Sequence, residues 1–161
     1  VEVEEKTINN TSSNSNVNAN NIISKNEVTT QQIQNTVDTR VKNTIDLAYD
    51  QLGKDYVWGA NGPDSFDCSG LTKYIYKKAF GIDLPRVSYE QAKFGKAVDK
   101  EDLQPGDLIF FDTMNKDRVS HVGIYVGNNE FIHAANSNKG VIKSSLSGYY
   151  EDRYINARRP Y

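Results

Sequence analysis

A chain of 161 residues with a net charge of -2 and a pI of about 5.7 holds one domain of ordinary size with sequence to spare. That near balance of charge gives neither nucleic acid nor an anionic membrane a footing as partner. One cysteine excludes an internal disulfide and CxxC metal motifs, and no apolar run approaches the roughly 18 residues of a membrane span.

The start at Val1, with neither methionine nor an apolar leader, reads as a piece of a longer protein and leaves export open. Residues 1–37 are dominated by Asn, Ser and Thr, as in Asn9 to Asn21, and read as a polar linker. A linker joins modules, so an additional module upstream of Val1 is expected. The folded domain, residues 38–161, opens on a helix whose face is Val37, Val41, Ile45, Ala48 and Leu52. Asp38 or Thr39 caps its start and Gly53 ends it. A turn-rich loop, Lys54 to Asp67, hands over at Cys68 to a second helix, packed through Leu71, Ile75 and Ala79 and ended by Gly81. Ser88-Tyr-Glu-Gln91 has the pattern of a capping box and predicts a third helix from Tyr89 to about Phe94.

Beyond Gly95 the period changes to two. Leu103 to Asp107 reads as a turn, Leu108 to Phe111 as a buried strand, and Val119–Val126, Glu130–Ala134, Val141–Lys143 and Tyr154–Arg158 as further strands. Helices first and strands second predict an α+β domain with helices on one face of an antiparallel sheet.

Cys68 falls in the first turn of its helix, where the positive end of the helix dipole favours thiolate over thiol. Lone cysteines are more often buried structural residues, but Asp67 and Ser69 on either side argue for an exposed chemical role. The two histidines, His121 and His133, fall on neighbouring strands, and their register decides whether they cooperate. A three-residue loop, Gly127-Asn128-Asn129, sets Gly123 opposite His133 and puts both rings on one face. A two-residue loop pairs Val122 with His133 and sends the imidazoles to opposite faces.

Tyr56-Val-Trp-Gly, Phe66-Asp-Cys-Ser-Gly-Leu71, Pro85-Arg-Val-Ser88, Pro105-Gly-Asp-Leu-Ile-Phe-Phe111, His121-Val-Gly-Ile-Tyr-Val-Gly127 and Phe131-Ile-His-Ala134, in this order and spacing, resemble the NlpC/P60 family. The likeness runs from about Val41 to Arg159. It implies a papain-like α+β fold and an exported bacterial hydrolase of the cell wall. The implied reaction is cleavage of peptidoglycan stem peptides between γ-linked D-glutamate and the following diamino acid, with no cofactor. By that resemblance Cys68 is the nucleophile, His121 its base and His133 the group that orients His121. Cys68 N–H and the Tyr56 hydroxyl would meet the oxyanion, Trp58 would wall the cleft, and Asp67, Ser69, Arg86 and Ser88 would line it. Arg86 would face a substrate carboxylate. Ala60 and Asp55 depart from the residues usual at their positions, glycine and proline, in the loop that shapes the cleft.

Other readings stay open on the sequence. A zinc site of Cys68, His121 and His133 has suitable ligand types but no fourth ligand and no structural-zinc spacing. An amidase of the related CHAP type, cutting between muramic acid and L-alanine, uses a similar cysteine and histidine. A wall-binding module with a dead site is a third.

Overall fold

The computed structural model describes residues 29–161. Residues 1–28 of the expected linker lie outside them. Residues 29–50 are helical (α1), and the chain divides into two compact units between Thr39 and Arg40. Helix therefore begins well before Val37, and Asp38 and Thr39 are interior residues rather than caps. Asp38 accepts a hydrogen bond from Gln34 Nε2 at 3.0 Å, and the Thr39 hydroxyl donates to the Asn35 carbonyl at 2.9 Å. Such i to i+4 pairing lets a polar segment stay helical without apolar burial.

In the second unit, residues 40–161, the inward face of α1 is Thr44 and Ala48, with Val41, Ile45 and Leu47 half-buried and Gln51 buried just past the helix end. Leu52, expected in the core, is exposed, because the helix ends at residue 50 and a turn through Gly53 (φ 88°) rotates it outward. Two short parallel strands follow, β1 (Asp55–Tyr56) and β2 (Ser65–Phe66). Helix α2 spans Cys68–Phe80, capped by Asp67 and ended by Gly81 in the left-handed conformation (φ 68°). Leu71, Ile75 and Tyr76 are fully buried along it, and Ala79 is half-buried.

Helix α3 is short, Ser88–Gln91, with Val87 at its N-cap and no side-chain cap. The capping box does not form, because Gln91 is drawn into the core. Its amide donates to the carbonyls of Ser69 (3.1 Å) and Pro85 (2.8 Å) and accepts from the Thr72 hydroxyl (2.7 Å). Buried donors and acceptors reward such satisfaction more than an exposed backbone N–H does.

The remaining strands are β3 (Lys96–Val98), β4 (Leu108–Phe111), β5 (His121–Gly127), β6 (Glu130–Ala134), β7 (Val141–Ser145) and β8 (Tyr154–Arg159). They form one antiparallel sheet in the order β3-β8-β4-β5-β6-β7, so helices and antiparallel sheet make an α+β domain. All four residues of β4 are buried, because alternate side chains enter two cores. Leu108 and Phe110 join α2, Val122, Ile124 and Ile132, whereas Ile109 and Phe111 join Phe131, Leu146 and Ala157 on the other face. Asp107, fully buried, is held by Arg159 through paired bonds of 2.8 and 2.9 Å, and its carboxylate also accepts from Gln104 N. That bidentate pair ties the turn before β4 to the last strand.

The β5–β6 hairpin reaches the expected facing by a different route. Its loop has two residues, Asn128 and Asn129, both at positive φ (52° and 60°), and Gly127 pairs with Glu130. Asparagine tolerates such backbone, the requirement of a type I′ turn. A bulge between Tyr125 and Gly127 restores the missing residue, so Tyr125 pairs with Phe131 and Ile124 with Ile132. One step further along, Gly123 faces His133.

Candidate active site

Cys68 is the first residue of α2. Asp67 builds the platform beneath it: Oδ1 accepts from Gly70 N (2.7 Å) and Oδ2 from Gly59 N (3.1 Å). Arg86 closes on the same carboxylate, Nη1 to Oδ1 at 3.1 Å and Nη2 to Oδ2 at 2.8 Å, and Nη1 also donates to Ser69 Oγ at 3.0 Å. Gly70 is needed here, since a Cβ would run into the Ala60 carbonyl oxygen and stand 2.8 Å from Asp67 Oδ1. The helix start is thus fixed by a matched pair of charges. Arg86 is neither a solvated loop charge nor a free cation.

The imidazoles come from the sheet. His121 Nε2 lies 2.7 Å from His133 Nδ1, and His133 Nε2 lies 2.8 Å from Ser144 Oγ on β7. Both rings are buried, their centroids 5.0 Å apart, with Phe111, Phe131 and Tyr150 packed around them. Gly123 makes this possible, because a Cβ there would stand 2.6 Å from the Phe131 ring and 3.2 Å from His133 Cβ. With Nε2 engaged by His133, Nδ1 is the nitrogen of His121 left for the thiol. The backbone of Val122, the residue after His121, hydrogen-bonds the Cys68 sulfur, which brings the thiol to the start of β5.

Electrostatics reverse one expectation. Burial, with a smaller contribution from the Asp67 charge, pushes the Cys68 thiol up to about 11 against the backbone N–H groups of Val122, Ser69 and Cys68 itself. Burial also pushes His121 down to about 4 and His133 further down, the second reinforced by His121 and Lys139. Desolvation opposes the helix terminus here and pushes thiol and imidazole each toward its neutral form.

A cavity of about 600 Å³ opens over Cys68 and His121. Tyr56, Trp58, Asp67, Ser69, Arg86 and Ser88 all line it, and His133 stands behind His121, fully buried. Trp58 is 88% exposed, a rim residue and not core. Burial and the nearby Cys68 and Asp67 hold the Tyr56 hydroxyl protonated. Sequence reasoning missed Ser144, because the strand carrying it was ended at Lys143 and its register depends on the turn at Asn136 to Gly140. It also missed the far wall, Thr113 to Ser120 between β4 and β5, which carries no period. Among the described residues no group of three or more His, Cys, Asp or Glu is placed to hold a metal ion. No helix among them is long and apolar enough to cross a membrane.

Cys68 from a helix and His121 from the sheet line one open cleft of an α+β domain, the residue types that nucleophilic chemistry requires. Residues 53–159 match the model of the NlpC/P60 family, and the chain belongs to that family. It is 41% identical over 120 residues to the murein DD-endopeptidase MepS/murein LD-carboxypeptidase of Escherichia coli (strain K12), covering 74% of this chain and 63% of that protein. It is 45% identical over 108 residues to the probable endopeptidase p60 of Listeria monocytogenes, covering 67% of this chain and 21% of that protein. The match thus spans about three fifths of one relative's length and about a fifth of the other's. Among solved structures, an NlpC/P60 family protein from Bacillus cereus ATCC 10987 superposes with a TM-score of 0.69 at 40% identity, over 74% of this chain and 39% of that one. The NlpC/p60 domain of the peptidoglycan hydrolase SagA superposes with a TM-score of 0.65 at 28% identity, over 74% of this chain and 97% of that domain.

Proposed function

We propose that this protein is a cell-wall hydrolase that cleaves peptidoglycan stem peptides at the bond between γ-linked D-glutamate and the diamino acid, using Cys68 as nucleophile. The observation that carries the reading is the hydrogen-bonded line His121, His133, Ser144, whose first member lines the same cleft as Cys68. For Nδ1 of His121 to accept the thiol proton, its Nε2–H must donate to His133 Nδ1, and His133 Nε2–H to Ser144 Oγ. The requirement on His121 thereby fixes the tautomer of His133, and the Ser144 hydroxyl, which accepts as readily as it donates, receives the His133 Nε2–H.

His121 takes the proton as sulfur attacks the carbonyl carbon. The N–H of Cys68 and the Tyr56 hydroxyl face the developing oxyanion. The protonated His121 then gives its proton to the leaving amine of the diamino acid, and a thioester remains on Cys68. Water, deprotonated by the same imidazole, attacks the thioester and restores the thiol. The cell wall, outside the membrane, is the proposed location. The lengths of the relatives beyond the match support a further module joined to this domain, and residues 1–28 are the proposed linker to it.

The Escherichia coli relative's name favours a second reading, cleavage between two D-centres of a cross-link or removal of a terminal residue. A monomeric stem tetrapeptide, incubated with wild type and with Cys68→Ala, separates the possibilities by the new amine. A freed amine at the L-centre of the diamino acid supports the proposal. Release of the terminal D-alanine supports the second reading, and a freed L-alanine amine from a muropeptide an amidase. Equal inactivity of both proteins on this peptide, on a cross-linked muropeptide dimer and on a muropeptide would indicate a wall-binding module.

A further inference from the structure

Three cationic side chains line the cleft, Arg86, Lys116 and Arg118, against one carboxylate, Asp67. Asp67 is committed to Arg86 in an ion pair of 2.8 Å. The cleft therefore carries two positive charges with no counter-charge among its lining residues, on a protein whose net charge is -2. What sets this pair apart is its place in the cleft, since many surface cations of the described residues also lie outside the ion pairs of Lys73, Lys100, Lys143 and Arg159. Among the described residues neither Lys116 nor Arg118 makes an ion pair of that kind.

The β4–β5 segment that carries these two residues is braced through its backbone. Asp112 Oδ1 accepts from the backbone N–H of Met114 and of Lys116, both at 3.1 Å, and Oδ2 from Asp117 N–H at 2.9 Å. These bonds lower the Asp112 pKa and turn its carboxylate toward the loop's own backbone. Thr113 N–H donates to Ser120 Oγ at 2.9 Å, closing the segment at its base. Asp117, between the two cations in sequence, is not a lining residue. The guanidinium of Arg118 rests 5.3 Å from the centre of the Tyr89 ring on α3, itself a cleft residue, so the cation is propped across the cleft by a cation–π contact.

We propose that Lys116 and Arg118 form a carboxylate subsite and make the enzyme discriminate a free carboxylate on the substrate's diamino acid from its amide, or from a side chain that lacks it. The inference rests on the stem-peptide reading above. A diaminopimelate residue offers such a carboxylate. Its amidated form keeps the shape and loses the charge, and lysine loses the group altogether. Arg86, expected from the resemblance to meet a substrate carboxylate, lines the same cleft with its charge balanced by Asp67, so Lys116 and Arg118 supply the unbalanced charge.

The probes are three stem tetrapeptides that differ only at the third residue: diaminopimelate, amidated diaminopimelate and lysine. Wild type is expected to prefer the free carboxylate by about tenfold in kcat/KM, through KM, with the preference shrinking as salt is raised. In Lys116→Gln with Arg118→Gln the three peptides should converge to within about twofold while kcat is retained. Binding of the same peptides to Cys68→Ala reads the subsite without turnover, so a different scissile bond leaves this arm intact. No preference in binding to Cys68→Ala, or a preference that survives the double substitution, overturns the proposal.

Discussion

One face of the sheet sets Leu108, Phe110, Val122, Ile124 and Ile132 against α2, while the other turns Ile109, Phe111 and Phe131 toward Tyr150 and Tyr154. Cys68 packs with the first core, and the rings of His121 and His133 stand with the aromatic side chains of the second. Cys68 and His121 come together in the lining of one cleft, at the end of the sheet where β5 begins. Damage to the first face should therefore appear mainly as lost stability, and damage to the second mainly as lost rate in a folded protein.

The largest expected effect on rate is at His121. His121→Ala should lower turnover as severely as Cys68→Ala, because members of one proton-transfer unit are not additive. His133→Ala should cost about 10²-fold, the scale of a misplaced catalytic group. His133→Asn and His133→Gln, which still accept a hydrogen bond from His121, should retain more activity, and Ser144→Ala should cost least of the series. Steady-state turnover of a stem tetrapeptide reads this order. A wild-type rate in folded His133→Ala would remove it from the relay.

A second contrast sharpens the difference between faces. Phe110→Ala should cost about 3–5 kcal/mol in denaturant unfolding and leave kcat per folded molecule near wild type. Gly123→Ala forces a Cβ against Phe131 and His133. It should cost about 1–3 kcal/mol and depress kcat more than Phe110→Ala does. Equal kcat values for the two folded variants would show that the faces are not separable in this way.

The first face was also the more legible in sequence. Leu71 and Ile75 at helical spacing, Asp67 as a cap and Gly81 as a stop are local signals, and α2 follows them residue by residue. The run Leu108 to Phe111 announced a strand buried on both sides. Gln91 misled because its pattern was local and its partners, Ser69, Thr72 and Pro85, are not. On the second face the shared side of the two histidines was legible only through hairpin register. That register came out through an Asn128-Asn129 turn and a bulge between Tyr125 and Gly127, which no periodicity reports. Strand β3 and the β1–β2 pair are two or three residues long, too short for any period to show. The thiol's ionisation was misjudged because a sequence shows the helix start but not the desolvation that opposes it.

The account stands on the Cys68 sulfur as the attacking atom, and the chain's single cysteine makes that directly measurable. Hydrolysis of a stem tetrapeptide is followed as the protein is alkylated stepwise at about pH 9, with the modified fraction read by intact mass and a parallel sample treated with a chelator. Activity should fall in proportion to unmodified Cys68, reach zero at full alkylation and be unchanged by the chelator. Full activity in completely alkylated protein would contradict it.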